Sequence, residues 1–560
     1  MKKLLLLLLA IFNFQLSIFN FQLSTCSACT NFLVGKAASD NGQTMITYAA
    51  DSYSLYGFLR FQPAANHAKG EMRKVIDWDT DKYLCEIPEV EHTYSVIGNM
   101  NEHQVTIGET TFGGRLELMD TISGTIDYGS MMYIALERSR TAREALQCMT
   151  DLVAQYGYAS EGESFSIADP NEVWLLELIG KGPGNKGAVW VATRIPDDAI
   201  CAHANQARIT RLPLDSKGKW KRGKGNIAKA VDQYGMEWMW TKDIIDVARK
   251  NGCFSGKDED FSFSDAYNPL DLVGAYGCDG RVWSFFRHFT DDMDRYLPYI
   301  MNRGGEHMPI YIRPDHKVSA AELRACMRDQ FEGTPLSIRD MKSAGIWHSK
   351  LRYGGLTFHL DSIEYCYPRP IATQQTGWSY VSEMYSEKPY GIFWFGVDDA
   401  ATNVYVPFFS CAKDVPEAFR KGNGDLLTYS PTSAFWAFNT VANYAYTKYE
   451  RMLPDIQFRQ QQWEERFAED VKQLETKTFE MSEADRAAYL TKYSNLQAEA
   501  VVADWKDLFS FLMVKFLDGV EKRQDENGAF LRTPEGMSDR PNRLKPSEEY
   551  LRSIADEVAH

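Results

Sequence analysis

The spacing of apolar and polar positions changes character three times along the chain. From residue 29 to about 115 it is strand-like. "TNFLVGKAASDNGQTMITYAAD" (30–51) sets two β-rich runs on either side of an Asp-Asn-Gly turn, which predicts a hairpin. "TYSVIGNMNEHQVTIGETTF" (93–112) predicts a second. Residues 129–156 switch to helical periodicity, with a start signal at Thr141. Strand patterns return at "SFSIAD", "EVWLLELIG", "AVWVATRIP" and "AICAHANQARI", between residues 164 and 209. Residues 226–330 are mixed and loop-rich, and further strands follow at "GLTFHLDSI", "YGIFWFGVDD" and "NVYVPFFS". From 433 onward the pattern is that of long amphipathic helices, the last opened by a capping box at Ser482 and Asp485. This order predicts an α+β fold of packed sheets with outer helices over 29–432 and a helical region over 433–522. A loosely held tail rich in Pro, Gly and charge is expected over 523–560.

The first 28 residues read as a targeting segment. Lys2 and Lys3 precede the apolar run "LLLLLLAIF", and "IFNFQLS" then occurs twice in tandem. Asn13, Gln15, Asn20 and Gln22 make this segment a poor membrane span. Small residues in Cys26-Ser27-Ala28 suit cleavage after Ala28, which leaves Cys29 first in the mature chain. The expectation is an exported protein, periplasmic or extracellular, with no membrane span after the leader. Lipid attachment at Cys26 is a lesser alternative, because Thr25 is larger than the residue that usually precedes such a cysteine.

Composition narrows the field further. The 560 residues are 44% hydrophobic and 13% aromatic, which argues for a folded protein over most of its length. A formal charge of −15 and the lack of a dense Lys/Arg block make nucleic acid an unsuitable partner. The short cluster "KGKWKRGKG" (217–225) reads as a solvated loop. Eight cysteines lie beyond Cys29, an even number that permits disulfides at a density too low for a disulfide scaffold.

Most catalytic signatures are missing. Gly182, Gly184 and Gly187 match a dinucleotide-binding spacing, but "AVWVATR" follows as a strand, so a hairpin turn is expected instead of a helix N-terminus. The scattered histidines show no zinc spacing, and His203 and His359 read as core or surface residues. No metal or organic cofactor is implied. "CSAC" (26–29) would form a redox pair only if both cysteines stayed in the mature chain, and cleavage after Ala28 separates them. That cleavage places the Cys29 thiol beside a free α-amine of reference pKa about 8, close enough to serve as its base. By position alone, an ordinary strand cysteine is the better reading of Cys29.

A resemblance decides between the two. "CTNFLVGKAASDNGQTMITYAADS" resembles the start of the dipeptidase A family of cysteine N-terminal-nucleophile hydrolases, related to choloylglycine hydrolase, penicillin V acylase and secernin. "GNMNEHQVTIGETT", the 172–209 block, "GIFWFGVDDAATNVYVPFF" and "SAFWAFNTVANYAY" continue it in order. It implies an αββα sandwich and hydrolysis of an amide, typically in a small peptide, through a thioester acyl-enzyme. By position, Cys29 is then the nucleophile, Asp51 the acid that orients its amine, and Asn205 an oxyanion-hole donor. Arg281, in "GRVW", matches the late active-site arginine. Relatives carry Arg three residues before the aspartate, whereas this chain has Tyr48, which supplies no permanent positive charge. Either another cation substitutes or the substrate preference differs. The alternatives are an amidase of the same fold acting on acyl-amino acids, bile-salt conjugates or β-lactam side chains, and a non-catalytic surface protein that binds peptides. The C-terminal helices are candidates for covering the sheet, shaping the cleft or forming a homo-oligomer interface.

Overall fold

A computed structural model describes residues 29–213, 221–222 and 225–555. The leader, with Cys26 and the cleavage point, and most of the basic cluster 217–225 lie outside the described residues. The chain enters as β1 (Asn31–Val34) and β2 (Thr44–Asp51), then crosses to β3 (Thr106–Gly113). Helices α1 (Tyr128–Arg138) and α2 (Ala142–Tyr156) precede β4 (Gly162–Ala168), β5 (Val173–Gly180), β6 (Ala188–Arg194) and β7 (Ile200–His203). After an irregular stretch come α3 (Gly280–Arg287) and α4 (Ala320–Cys326), followed by β8 (Thr376–Met384), β9 (Ile392–Val397) and β10 (Val406–Phe409). Three helices close the main body: α5 (Ala434–Ala445), α6 (Tyr449–Thr478) and α7 (Glu483–Lys515).

Two antiparallel sheets face each other. One has seven strands, in the order Tyr311–Ile312, β7, β1, β2, β8, β9, β10. The other has ten and contains β6, β5, β4 and β3 in that order. Helices α1 and α2 cover the outer face of the second sheet, where Met131, Leu136, Leu146 and Met149 bury against Phe165, Ile167, Trp174 and Leu176. Helices α5 to α7 cover the outer face of the first. Trp505 of α7 donates to Thr402 O at 3.0 Å and Ser494 to Pro407 O at 2.8 Å; both are buried, and Trp505 belongs to the apolar core it shares with β8–β10. The layers are helix, sheet, sheet, helix, the α+β sandwich that the resemblance implies.

Local chemistry accounts for the elements. The helical stretch predicted over 129–156 is two helices: Asp127 caps α1 by accepting from Ser130 N, and Thr141 caps α2 by accepting from Glu144 N. Ser482 caps α7 in the same way, while its hydroxyl donates to the Asp485 carboxylate at 2.7 Å. Gly182, Gly184 and Gly187 lie in the turn between β5 and β6 with φ of +93°, +74° and +104°, so that stretch is a hairpin turn. The nine described cysteines are all free thiols. Among the described residues no helix is long and apolar enough to cross a membrane, and no cluster of His, Cys, Asp or Glu is placed to hold a metal ion.

Candidate active site

Cys29 lies at the head of β1, 1% exposed, where the two sheets meet. Neighbouring strands fix its surroundings. β1 pairs with β7 through Asn31 and His203 and with β2 through Leu33 and Ile46, and Thr30 bridges to Ala49. β2 pairs with β8 in steady register until Ala50, where a bulge shifts the pairing so that Asp51 meets Thr376. The bulge sets the Asp51 carboxylate apart from the alternation of the strand.

The structure brings all four sequence-predicted residues together. A widened π-helical turn over Val273–Asp279 leads into α3, whose second residue is the fully buried Arg281. Its Nη1 donates to Cys29 O at 2.5 Å and Thr30 Oγ1 at 2.7 Å; its Nη2 donates to Ala204 O at 2.9 Å and Asn205 Oδ1 at 3.0 Å. Burial, reinforced by nearby Arg369, lowers its pKa to about 10, so the guanidinium stays charged at neutral pH. Asn205 follows β7 with φ +63°, a left-handed conformation that asparagine tolerates. Its Nδ2 donates one hydrogen bond to Thr111 O at 2.6 Å, and a primary amide carries two such hydrogens. Asp51 accepts from Thr376 Oγ1 at 2.6 Å and pairs with Arg369 Nη2 at 2.6 Å, all three groups being buried.

On the other side of the sulfur the chemistry is acidic. Cys29 Sγ lies 3.6 Å from Glu109 Oε1 and 3.7 Å from the Tyr48 hydroxyl, and that hydroxyl donates to Glu109 in a short contact. Burial first, then Glu109 and Asp51, push the thiol pKa well up; the Asp51 backbone N–H and Tyr48 oppose the shift. Burial first, then the neighbouring Cys29 and Glu109, push the Tyr48 pKa well up, so its phenol stays neutral. Close approach makes this arrangement possible. A Cβ on Gly108 would lie 3.0 Å from Asn31 Nδ2, 3.1 Å from the Tyr380 hydroxyl and 3.3 Å from Tyr48 Cβ.

These features go with a recognisable lineage. Residues 60–462 match the description Peptidase family C69. The chain belongs to peptidase family C69. It is therefore a peptide hydrolase of the N-terminal-nucleophile-like cysteine group. Among similar proteins are probable dipeptidase B of Lactococcus lactis subsp. lactis (strain IL1403), 22% identical over 89% of this chain and 98% of that protein. Probable dipeptidase of Latilactobacillus sakei is 24% identical over 70% and 76%, and dipeptidase A of Lactobacillus helveticus 22% identical over 75% and 82%.

Three neighbours of the site in this C69 chain escape sequence reasoning. Arg369, in "YPRPIA", precedes β8 by seven residues and has no motif around it. It stands beside Asp51 as a cation that the Tyr48 position lacks. Glu109 and Glu163 sit within β3 and β4 among Gly, Ser and Thr neighbours that give no sign of a buried acid. The available signal was "GETT", inside a block already singled out for resemblance. His203 is a satisfied core histidine: its ring nitrogens lie 2.7 Å from Thr110 Oγ1 and 2.8 Å from Ser166 Oγ, and burial lowers its pKa to about 3.

Proposed function

We propose that this C69 peptidase is an exported dipeptidase whose nucleophile is the thiol of Cys29, released as the first residue when the leader is removed. The observation that carries the reading is the Arg281 side chain, which bonds both the Cys29 carbonyl and the Asn205 side chain and so ties nucleophile and amide donor into one unit. The names of the relatives support a dipeptide substrate, and the leader pattern supports export.

The chemistry follows from the groups present. The buried thiol is protonated at rest, because burial and two carboxylates disfavour the thiolate. As sulfur attacks the amide carbonyl, its proton passes to the α-amine of the same residue, whose cationic form those carboxylates favour. The tetrahedral oxyanion receives the second Nδ2 hydrogen of Asn205. The Cys29 ammonium then protonates the departing amine, and the acyl group remains on sulfur as a thioester. Water, deprotonated by the freed amine, cleaves the thioester and returns the thiol. Arg281 and Arg369 keep Asn205 and Asp51 in place without taking part in proton transfer. They also supply the positive charge that Tyr48 does not.

The test combines intact mass and turnover. The active, exported protein is expected to begin at Cys29, and Cys29→Ala is expected to abolish dipeptide hydrolysis with an unchanged melting curve. Full activity in a chain that keeps residues before Cys29, or in Cys29→Ala, would overturn the reading.

A further inference from the structure

Beside the sulfur, two buried carboxyls are left without a cation. Glu109 and Glu163 are each 1% exposed. Thr111 pairs directly with Glu163 across β3 and β4, and Glu109 lies two residues before Thr111, so the two acids are diagonal neighbours on one face of the sheet. Each has one oxygen satisfied: Oε1 of Glu109 by Tyr48, and Oε1 of Glu163 by the Thr111 hydroxyl at 2.7 Å. The Oε2 atom of each is buried and has no hydrogen-bond partner. The carboxyls abut one another, and burial raises both pKa values, that of Glu109 to about 7, with Asp79 adding to the shift of Glu109 and Glu109 and Glu161 adding to that of Glu163.

Asp127 and Asp398 likewise keep one buried oxygen without a hydrogen-bond partner, whereas several other buried carboxylates are compensated within the chain. Asp399 pairs with Lys350, Asp279 with Arg208, and Glu464 with Arg324 and Arg328. Glu177 lacks an ion pair but accepts from the backbone N–H groups of Arg208 and Ile209. Burying a charge without a partner is strongly unfavourable. Two facing acceptors are relieved in only two ways, by a shared proton or by a donor that brings positive charge between them.

Reach identifies the donor. In an amino acid the α-nitrogen is about 2.5 Å from the carbonyl carbon. Once that carbon bonds to Cys29 Sγ, the nitrogen stays within about 4 Å of sulfur. Glu109 Oε1 is 3.6 Å from the same sulfur. We propose that Glu109 and Glu163 form the subsite for the free α-ammonium of the residue whose carbonyl is attacked, so that the enzyme selects unblocked dipeptides over acyl amides. This inference rests on Cys29 as the nucleophile. In the empty site the pair holds one proton. The arriving ammonium, already carrying its three hydrogens, displaces that proton to solvent and donates to the two oxygens it leaves. Tyr48 fits the role: a neutral donor at its position anchors Glu109, whereas an arginine there would neutralise the carboxylate and compete with the substrate.

The experiment compares alanyl-alanine with propionyl-alanine, which has the same scissile bond and no ammonium, in the mature enzyme and in Glu109→Gln and Glu163→Gln. Melting curves and Cys29 alkylation by iodoacetamide report whether each variant keeps its fold and site. Wild-type kcat/KM is expected to be at least 100-fold lower for propionyl-alanine, a loss typical of a site built around a missing polar group. Glu163→Gln, which does not touch sulfur, is expected to raise KM for alanyl-alanine about 10- to 100-fold with kcat little changed, leaving propionyl-alanine hydrolysis where it was. Equal wild-type kcat/KM for the two substrates would overturn the subsite. So would an equal fall in kcat on both in Glu163→Gln, which would assign the carboxyls to the Cys29 amine. Loss of either activity in Cys29→Ala keeps the nucleophile reading intact whichever way the subsite falls. Survival of that activity removes the reading itself.

Discussion

Two buried carboxylates flank one sulfur, and the fold equips them in opposite ways. Asp51 has a guanidinium at 2.6 Å and a threonine hydroxyl at 2.6 Å. Glu109, equally buried, has a phenol, a thiol and a second carboxyl. The first arrangement is complete within the chain and holds a fixed charge in a fixed place. The second has no side-chain cation of its own. Burial alone therefore does not fix how an acid is compensated; a guanidinium completes Asp51, whereas Glu177 relies on backbone N–H groups and Glu109 has neither.

The largest expected effect tests the point where both sides meet. Cys29→Ala should lower dipeptide turnover by about 10⁴ to 10⁶-fold, as for other nucleophile knock-outs, with urea unfolding unchanged. Arg369→Met strikes the completed side. It leaves Asp51 buried and unpaired, and should cost about 3–5 kcal/mol in urea unfolding. Glu109→Gln removes a carboxyl that has no cation and should shift the same unfolding curve by less than about 1 kcal/mol. Equal losses in these two variants would erase the distinction. On the proposed reading Asn205 donates to the oxyanion, so Asn205→Ala should lower kcat by about 10² to 10³-fold.

The smaller effects concern protons. Glu109 is the larger of the two carboxylate influences that push the Cys29 thiol up. In Glu109→Gln the pH dependence of iodoacetamide alkylation should therefore move to lower pH, and an unmoved profile would show that Glu109 does not govern the thiol. The sign for stability is opposite to that of a paired acid. Burial raises the Glu109 pKa above 4.5, so the native state keeps a proton that the unfolded chain releases. That contribution to stability is present in full below about pH 4.5 and fades as pH rises toward the native value. Glu109→Gln should flatten this slope in melting temperature against pH.

The elements that surround the site differ in how openly the sequence shows them. β1, β2 and β3 are legible because their alternation and turns are local. β8 is not: "TGWSYVSEM" mixes serines and a glutamate into a strand that is buried along its whole length, and polar residues in that proportion look like a loop. Its polar groups are satisfied by neighbours far along the chain, as Ser382 is by Ile46 O at 2.8 Å and Glu383 by Trp394 Nε1 at 2.7 Å. Arg369 is hidden for the same reason, since its partner Asp51 lies more than three hundred residues earlier.

The sequence by itself marked most of the layer-forming elements, singled out Cys29, and aligned Asp51, Asn205 and Arg281 with positions of the family it resembles. These are carried by local periodicity and by blocks of matched residues. Only the tertiary structure decided which charges are compensated. Pairing depends on distances of a few ångströms between strands that arrive from opposite ends of the chain, and no spacing along one strand encodes that. It gave Asp51 its arginine and left Glu109, beside the sulfur, against Glu163.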